Sequence, residues 1–176
     1  MTLYESGRVA LRRLAREDKE EYISLARAST ELHNPWIYAP TTPSEFDSYY
    51  QRFNQTTAEG MVICVRESGA ITGFVNINEI IRGPYQRGTT GYGAFVPYAG
   101  KGYMSEGFEL VLRFAFIDLG LHRLEADIQP GNTASLRFAK RAGFRQEGLS
   151  PGFVQIRGEW KDHERWAVTS DMAGLA

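Results

Sequence analysis

Apolar residues recur along the 176-residue chain with two periods, and the switches between them predict its elements. Val9 and Leu11 alternate with Arg8, Ala10 and Arg12, so residues 8–13 read as a first strand. Residues 16–28 put Tyr22, Leu25 and Ala26 on one helical face behind an acidic start at Glu17 and Asp18. Asn34-Pro35 and Ala39-Pro40-Thr41-Thr42-Pro43 interrupt regular structure around Trp36 and Tyr38. Thr42, followed by Pro43 and Glu45, predicts a capped helix over 43–58. Residues 61–67 and 71–81 read as strands joined by Ser68-Gly69-Ala70, and Gly83-Pro84 turns the chain into a strand over 89–96. Phe108, Leu112, Ala115 and Leu119 give a helix over 102–118 one apolar face. A strand over 123–129, a helix over 132–142 and strands near 144–148, 153–159 and 163–170 complete the pattern.

Strands come first in this order, and strand–helix–strand crossovers appear only in the middle. That predicts an α/β fold with a mixed, mainly antiparallel central sheet flanked by helices. No repeat or linker divides residues 1–176, so one domain with a core at about 8–170 is expected.

Composition narrows the partners. Hydrophobic residues make up 43% and charged residues 23%, with a net charge of −1. Such a balance gives no reason to expect direct nucleic-acid or membrane binding, and an anionic cofactor has to be held by local geometry. The single cysteine, Cys64, lies in the apolar run 61–65 and reads as a core side chain rather than a nucleophile. No internal disulfide can form. No stretch reaches 18 apolar residues, and the first residues lack a signal peptide's basic and apolar regions, so a cytoplasmic location is expected.

The chemistry concentrates in Phe95-Val96-Pro97-Tyr98-Ala99-Gly100-Lys101-Gly102-Tyr103-Met104-Ser105-Glu106. A strand ends, a loop with two glycines follows, and a long amphipathic helix begins. The unpaired N–H groups of the helix start and its dipole form a site for phosphate. Gly100-x-Gly102-x-x-Ser105 lacks the third glycine of the dinucleotide fingerprint, and Lys101 is followed by Gly102 rather than the Ser or Thr of a Walker loop. A tight strand-to-helix turn is the purely structural alternative.

This segment resembles motif A of the GNAT acetyltransferase superfamily, Arg/Gln-x-x-Gly-x-Gly/Ala, with Pro97 standing where the motif has Arg or Gln. A second match is Asn132-Thr133-Ala134-Ser135, opening a helix that closes on Gly143-Phe144; an N-cap and a left-handed helix end explain Asn132 and Gly143 equally well. Asn76 to Gly83, His122 to Ala126 and Gly158 to His163 are similar to the Rim-type ribosomal-protein N-terminal (alanine/serine) acetyltransferases.

The resemblance implies acetyl-CoA as cosubstrate. Its pyrophosphate would lie on the loop Gly100, Lys101, Gly102, Tyr103 and Met104, and its pantetheine arm along the backbone of Phe95 and Val96, near Asn132, Ser135 and Lys140. Ser135 would hydrogen-bond the departing thiolate, and Glu79 of the central hairpin is the first candidate base, although it also reads as a solvated strand-end charge. Glu159 and Asp162 are weaker candidates. Trp36, Tyr38 and Asn78 would face the acceptor, as Arg82 and Tyr85 could; packing explains the aromatics equally well. The histidines at 33, 122 and 163 lack metal-ligand spacing and read as surface or local structure, so no metal is expected.

The acceptor stays open between a protein N-terminal amine, such as that of a ribosomal protein, and a small-molecule amine. An N-terminal amine, of pKa roughly 8, is neutral far more often at pH 7 than a lysine near 10.4. A non-catalytic acyl-CoA-binding module and a scaffold with a vestigial loop are the competing classes, and both monomers and homodimers fit.

Overall fold

The computed structural model describes residues 1–176. Eight strands build one sheet: β1 (Thr2–Ser6), β2 (Val9–Arg13), β3 (Glu59–Val65), β4 (Ile71–Ile81), β5 (Arg87–Ala94), β6 (Arg123–Ile128), β7 (Arg145–Ile156) and β8 (Glu159–Thr169). Their order is β1-β2-β3-β4-β5-β6-β8-β7. Every pair is antiparallel except β5–β6, because the chain leaves β5 through a helix and must return in the same direction. The helices are α1 (Lys19–Ala28), α2 (Thr30–His33), α3 (Pro43–Gln51), α4 (Tyr103–Arg113) and α5 (Thr133–Arg141). None is long and apolar enough to cross a membrane.

The period-2 pattern of the strands divides the core. On one face Val9, Leu11, Ile63, Val75, Ile77 and Leu124 pack under Phe108 and Val111 of α4 and Phe138 of α5. On the other, Val62, Phe74 and Phe95 pack under Tyr22 of α1 and Phe46 of α3. Each fully buried side chain of this size stabilises the fold by about 1.5–3 kcal/mol. Gly107 lets α4 rest directly on β3, since a Cβ there would lie 2.5 Å from the Ile63 side chain. Cys64 is buried in the second core, where desolvation pushes its thiol up to about 11, as befits a packing residue.

Thr42 caps α3 as its sequence predicts: its hydroxyl accepts from Glu45 N at 3.3 Å, and Glu45 Oε2 accepts from Thr42 N at 3.0 Å. The helix nevertheless stops at Gln51, seven residues short of the expected end, and passes into a tighter turn over Arg52–Asn54. α4 also ends early. Beyond Arg113 the chain widens into a π-turn over Phe114–Asp118, closed by Leu119 N donating to Phe114 O at 3.0 Å.

β1 was not predicted: it is a short outer strand whose side chains are at best half-buried, so it carries no clean alternation. The C-terminal region forms two long strands rather than three. Ser150-Pro151-Gly152 bulges out of the edge strand β7 without ending it, and the chain reverses at Arg157-Gly158, both with positive φ (51° and 83°). β4 bulges between Asn78 and Ile81, where Glu79 has φ 50°. That extra residue breaks the alternation, so Ile80 instead of Ile81 follows Ile77 into the core.

Candidate active site

The site begins where β5 and β6 part. They pair only from Arg87–Arg123 to Thr89–Glu125 and then diverge. Phe95 N donates to Thr72 O across the β4 side. Because a strand's hydrogen bonds alternate edges, the backbone groups of Tyr92 and Ala94 point to the opposite edge, which β6 has left open. Ala94 O is taken by His33 Nε2 at 2.7 Å, so that nitrogen carries the hydrogen. Burial lowers the His33 pKa and keeps the ring neutral. Of the two expected readings, surface or local structure, His33 is the second, a core residue bracing the strand end.

This geometry corrects the expectation for the pantetheine arm. The N–H of Phe95 is bonded to Thr72, and that of Val96 donates to Ser29 Oγ at 2.9 Å. Neither is free for a ligand. Tyr92 and Ala94 are the residues at the open edge, and their place follows from the register of β5, which no local sequence pattern reveals.

The phosphate loop stands at one end of this edge. Gly100 and Gly102 have φ of 73° and 83°, a left-handed backbone that favours glycine. Gly102 occupies the N-cap of α4 with no side-chain cap, which leaves the first helix N–H groups unsatisfied. A Cβ on Gly102 would come 3.1 Å from Arg8 Nη2, and one on Gly100 would meet nothing within 4 Å. Arg8, from the β1–β2 turn, donates to Lys101 O at 3.2 Å and to Glu106 Oε2 at 3.0 Å, and lies 4.6 Å from the Tyr103 ring centroid. Lys101 folds back, its Nζ donating to Pro97 O at 2.7 Å. Its ammonium is thus held on the backbone of Pro97, the residue that stands where the motif has Arg or Gln.

α5 faces the loop across the groove. Asn132 caps it, its Oδ1 accepting from Ser135 N at 3.2 Å. Ser135 Oγ lies 2.8 Å from the Tyr92 hydroxyl. The Tyr92 ring packs against Phe108 and Phe138, and burial pushes its hydroxyl up to about 12, so it keeps its proton at neutral pH. Sequence reasoning missed Tyr92; its side chain falls inside a glycine-rich strand that gives no helical or catalytic signal.

A groove of about 510 Å³ joins these parts. Of the expected residues, Trp36, Gly100, Gly102, Met104, Asn132 and Ser135 line it. Lys101 and Tyr103 belong to the loop with their side chains turned to Pro97 and Arg8. Lys140 is exposed and outside the lining, where its neighbour Arg141 lies instead. Tyr38 lines a separate hollow beside Arg157. Asn78 is bound by Arg52, whose Nη2 donates to Asn78 Oδ1 at 2.7 Å.

Glu79 is the largest departure. The β4 bulge turns it to solvent, outside the groove, with no hydrogen-bond partner. Glu159 is paired with Lys161, and Asp162 accepts from Gly152 N at 2.8 Å, so neither is a free base. His163, expected as surface or local structure, is the latter: it is buried, with Nδ1 3.0 Å from Lys161 O.

Comparison with known proteins follows the same lines. Residues 8–145 match the acetyltransferase (GNAT) domain. A probable N-acetyltransferase YjcK of Bacillus subtilis is 36% identical over 68% of this chain and 66% of its own length. The [ribosomal protein uS5]-alanine N-acetyltransferase of Escherichia coli is 31% identical over 57% of this chain and 52% of its own length. The chain thus spans about half to two thirds of these relatives. Among solved structures, Mycobacterium smegmatis RimJ in complex with CoA-disulfide superposes with a TM-score of 0.84 at 23% identity, covering 95% of this chain and 87% of that one. Spermidine N-acetyltransferase from Vibrio cholerae in complex with CoA and spermine gives 0.79 at 18% identity, covering 94% and 98%. With more than half its length matched, the chain belongs to the GNAT acetyltransferase family.

Proposed function

We propose that the protein transfers an acetyl group from acetyl-coenzyme A to a primary amine, and that its acceptor is the N-terminal α-amine of a protein such as a ribosomal protein. The observation that carries the reading is the convergence, in one groove, of an uncapped helix start, an open strand edge and the Tyr92–Ser135 pair. The groove's volume of about 510 Å³ and mixed apolar and polar lining fit a ligand of this class. The N–H groups after Gly102 would hold the pyrophosphate, and the free groups of Tyr92 and Ala94 the pantetheine amides. The cosubstrate supplies the activated acyl group.

The chain's own residues then hold the reactants and manage protons. Tyr92 stays protonated, and Ser135 links it to the groove, so the pair donates to sulfur as negative charge develops there. Names of relatives support the N-terminal amine, and a neighbour bound to spermine supports a polyamine as the second reading. The test is thiol release from acetyl-CoA with peptides, polyamines and no acceptor, alongside calorimetry with coenzyme A. Thiol released only with an added amine is expected. Tight coenzyme A binding without turnover by any amine would leave a non-catalytic binding module, and absence of binding would remove the reading altogether.

A further inference from the structure

From Ser29 to Ile37 the chain lies along the end of β5 and is fastened to it at three successive points. Ser29 Oγ accepts from Val96 N at 2.9 Å, His33 Nε2 donates to Ala94 O at 2.7 Å, and Ile37 packs over Gly93. A Cβ on Gly93 would come 2.6 Å from Ile37 Cδ1. The turn after α2 closes on the same histidine, since Trp36 N and Ile37 N both donate to His33 O, at 2.8 and 3.0 Å. The backbone on either side of Trp36 is thereby fixed to one strand. Its indole crosses to the other side of the parting. A Cβ on Gly131, in the turn between β6 and α5, would lie 3.0 Å from Trp36 Cη2 and 3.6 Å from Cζ3. Gly131 has no positive φ, so its backbone suits any residue; the indole edge is what occupies the place of a side chain there.

Trp36 and Ile37 also line, with Gly91 and Tyr92 of β5 and Ala126 and Ile128 of β6, a space of about 70 Å³ between the strand ends. The Tyr92–Ser135 contact spans the same gap. Tyr92 adjoins Gly93 in β5, and Asn132, the residue after Gly131, accepts from Ser135 N at 3.2 Å, so a shift of the turn carries to Ser135. Further along α5, Phe138 is held in the core by Tyr92 and Phe108. The start of the helix has less packing of its own: Gly131 is exposed, and Asn132 and Ser135 are half-buried. At 2.8 Å, the Tyr92–Ser135 contact ceases to be a hydrogen bond once the two hydroxyls part by about 1 Å.

We propose that Trp36 is a positioning residue: a spacer, anchored on β5 and lodged against Gly131, that sets the width of the parting and holds Ser135 within bonding distance of Tyr92. The inference rests on the reading of Tyr92 and Ser135 as the donor to sulfur in acetyl transfer. It gives Trp36 a part other than contact with the acceptor, since its effect falls on kcat through Ser135 and not on the acceptor's KM. Misplacing a reacting group by about 1 Å costs up to about a hundredfold in rate, so loss of the spacer removes what the Tyr92–Ser135 pair contributes.

The experiment measures kcat and acceptor KM for a peptide with a free N-terminal alanine, and coenzyme A affinity, in wild type, Trp36→Ala, Ser135→Ala and the double variant. Trp36→Ala is expected to lower kcat about tenfold, with acceptor KM and coenzyme A affinity within about threefold of wild type. In the Ser135→Ala background the same change is expected to cost less than about twofold, because the contact it supports is already gone. Losses that multiply, wild-type kcat in Trp36→Ala, or a raised KM at wild-type kcat each overturn the proposal; the last makes Trp36 an acceptor contact. A size swap keeps the test sharp should Trp36→Ala be unstable. Trp36→Phe withdraws the indole edge and Gly131→Ala returns a methyl group to the gap, so the two together are expected to recover kcat to within about twofold of wild type while each alone loses more. Losses that merely add overturn the fit between these residues. One readout needs no turnover: the carbon-13 NMR signal of Tyr92 Cζ, assigned by its absence from Tyr92→Phe, is expected to shift in Trp36→Ala as it does in Ser135→Ala. An unshifted signal in Trp36→Ala overturns the spacer. Failure of wild type to acetylate any amine is a separate result: it removes the acetyltransferase reading, while the signal still decides whether Trp36 sets the contact.

Discussion

Gly102 is constrained by its backbone and by Arg8 as well as by its place in the loop. Its φ of 83° disfavours any side chain, and a Cβ there would come 3.1 Å from Arg8 Nη2, so a substitution strains the backbone and displaces Arg8. Gly102→Glu adds negative charge to an anion site as well. At least a tenfold loss of coenzyme A affinity, about 1.4 kcal/mol, is expected with the fold intact, and isothermal calorimetry beside a circular-dichroism melt measures it. Unchanged affinity in a folded variant takes the loop out of the site. Ser135 and Tyr92 make the complementary case, because a bond to developing thiolate charge strengthens only in the transition state. Ser135→Ala and Tyr92→Phe should lower kcat by about tenfold or more and leave coenzyme A affinity within about twofold. Equal kcat, with chemistry shown to be limiting, defeats the role. Ser135 was legible in the sequence from its Asn-x-x-Ser setting. Tyr92 was not, because it reaches the groove only through the parting of two strands far apart in the chain.

At the scale of elements, the sequence announced most of the fold through strong local signals. Thr42-Pro43-Ser44-Glu45 fixed the start of α3, and the Phe108 face fixed α4. It misjudged places where a tertiary constraint overrides the period. The β4 bulge at Glu79 reverses the face of every later residue in that strand, and with it the case for Glu79 as a base. Ser150-Pro151-Gly152 looks like a strand end, yet edge strands absorb such residues as bulges. The contact between α4 and β3 yields a test of packing. Gly107→Val would drive its methyls into Ile63, so a loss of about 1–3 kcal/mol is expected, read as a drop in Tm. An unchanged Tm means α4 can shift on the sheet, and the placement of the loop at its start is then not fixed by this contact.

Across the whole molecule, the sheet works as two halves joined by one parallel pair. Residues of β2, β3, β4, β6 and β8 enter the cores, and the charged cluster around Glu125 joins Arg87 of β5, Arg123 of β6 and Arg165 of β8. The short parallel pairing leaves beside the open strand edge a groove of about 510 Å³, the place we propose for the acyl donor. Net charge of −1 gives no long-range attraction for a basic partner, so recognition of one has to come from local contacts. The proposed reaction is acetyl transfer to a small, free N-terminus. The most direct test compares kcat/KM for a short peptide with a free N-terminal alanine, its N-blocked lysine-containing counterpart, and spermidine, each product identified by mass. The free N-terminus is expected to be preferred by at least tenfold near pH 7, in line with its larger neutral fraction. Preference for the blocked peptide, or for spermidine over both, would contradict it.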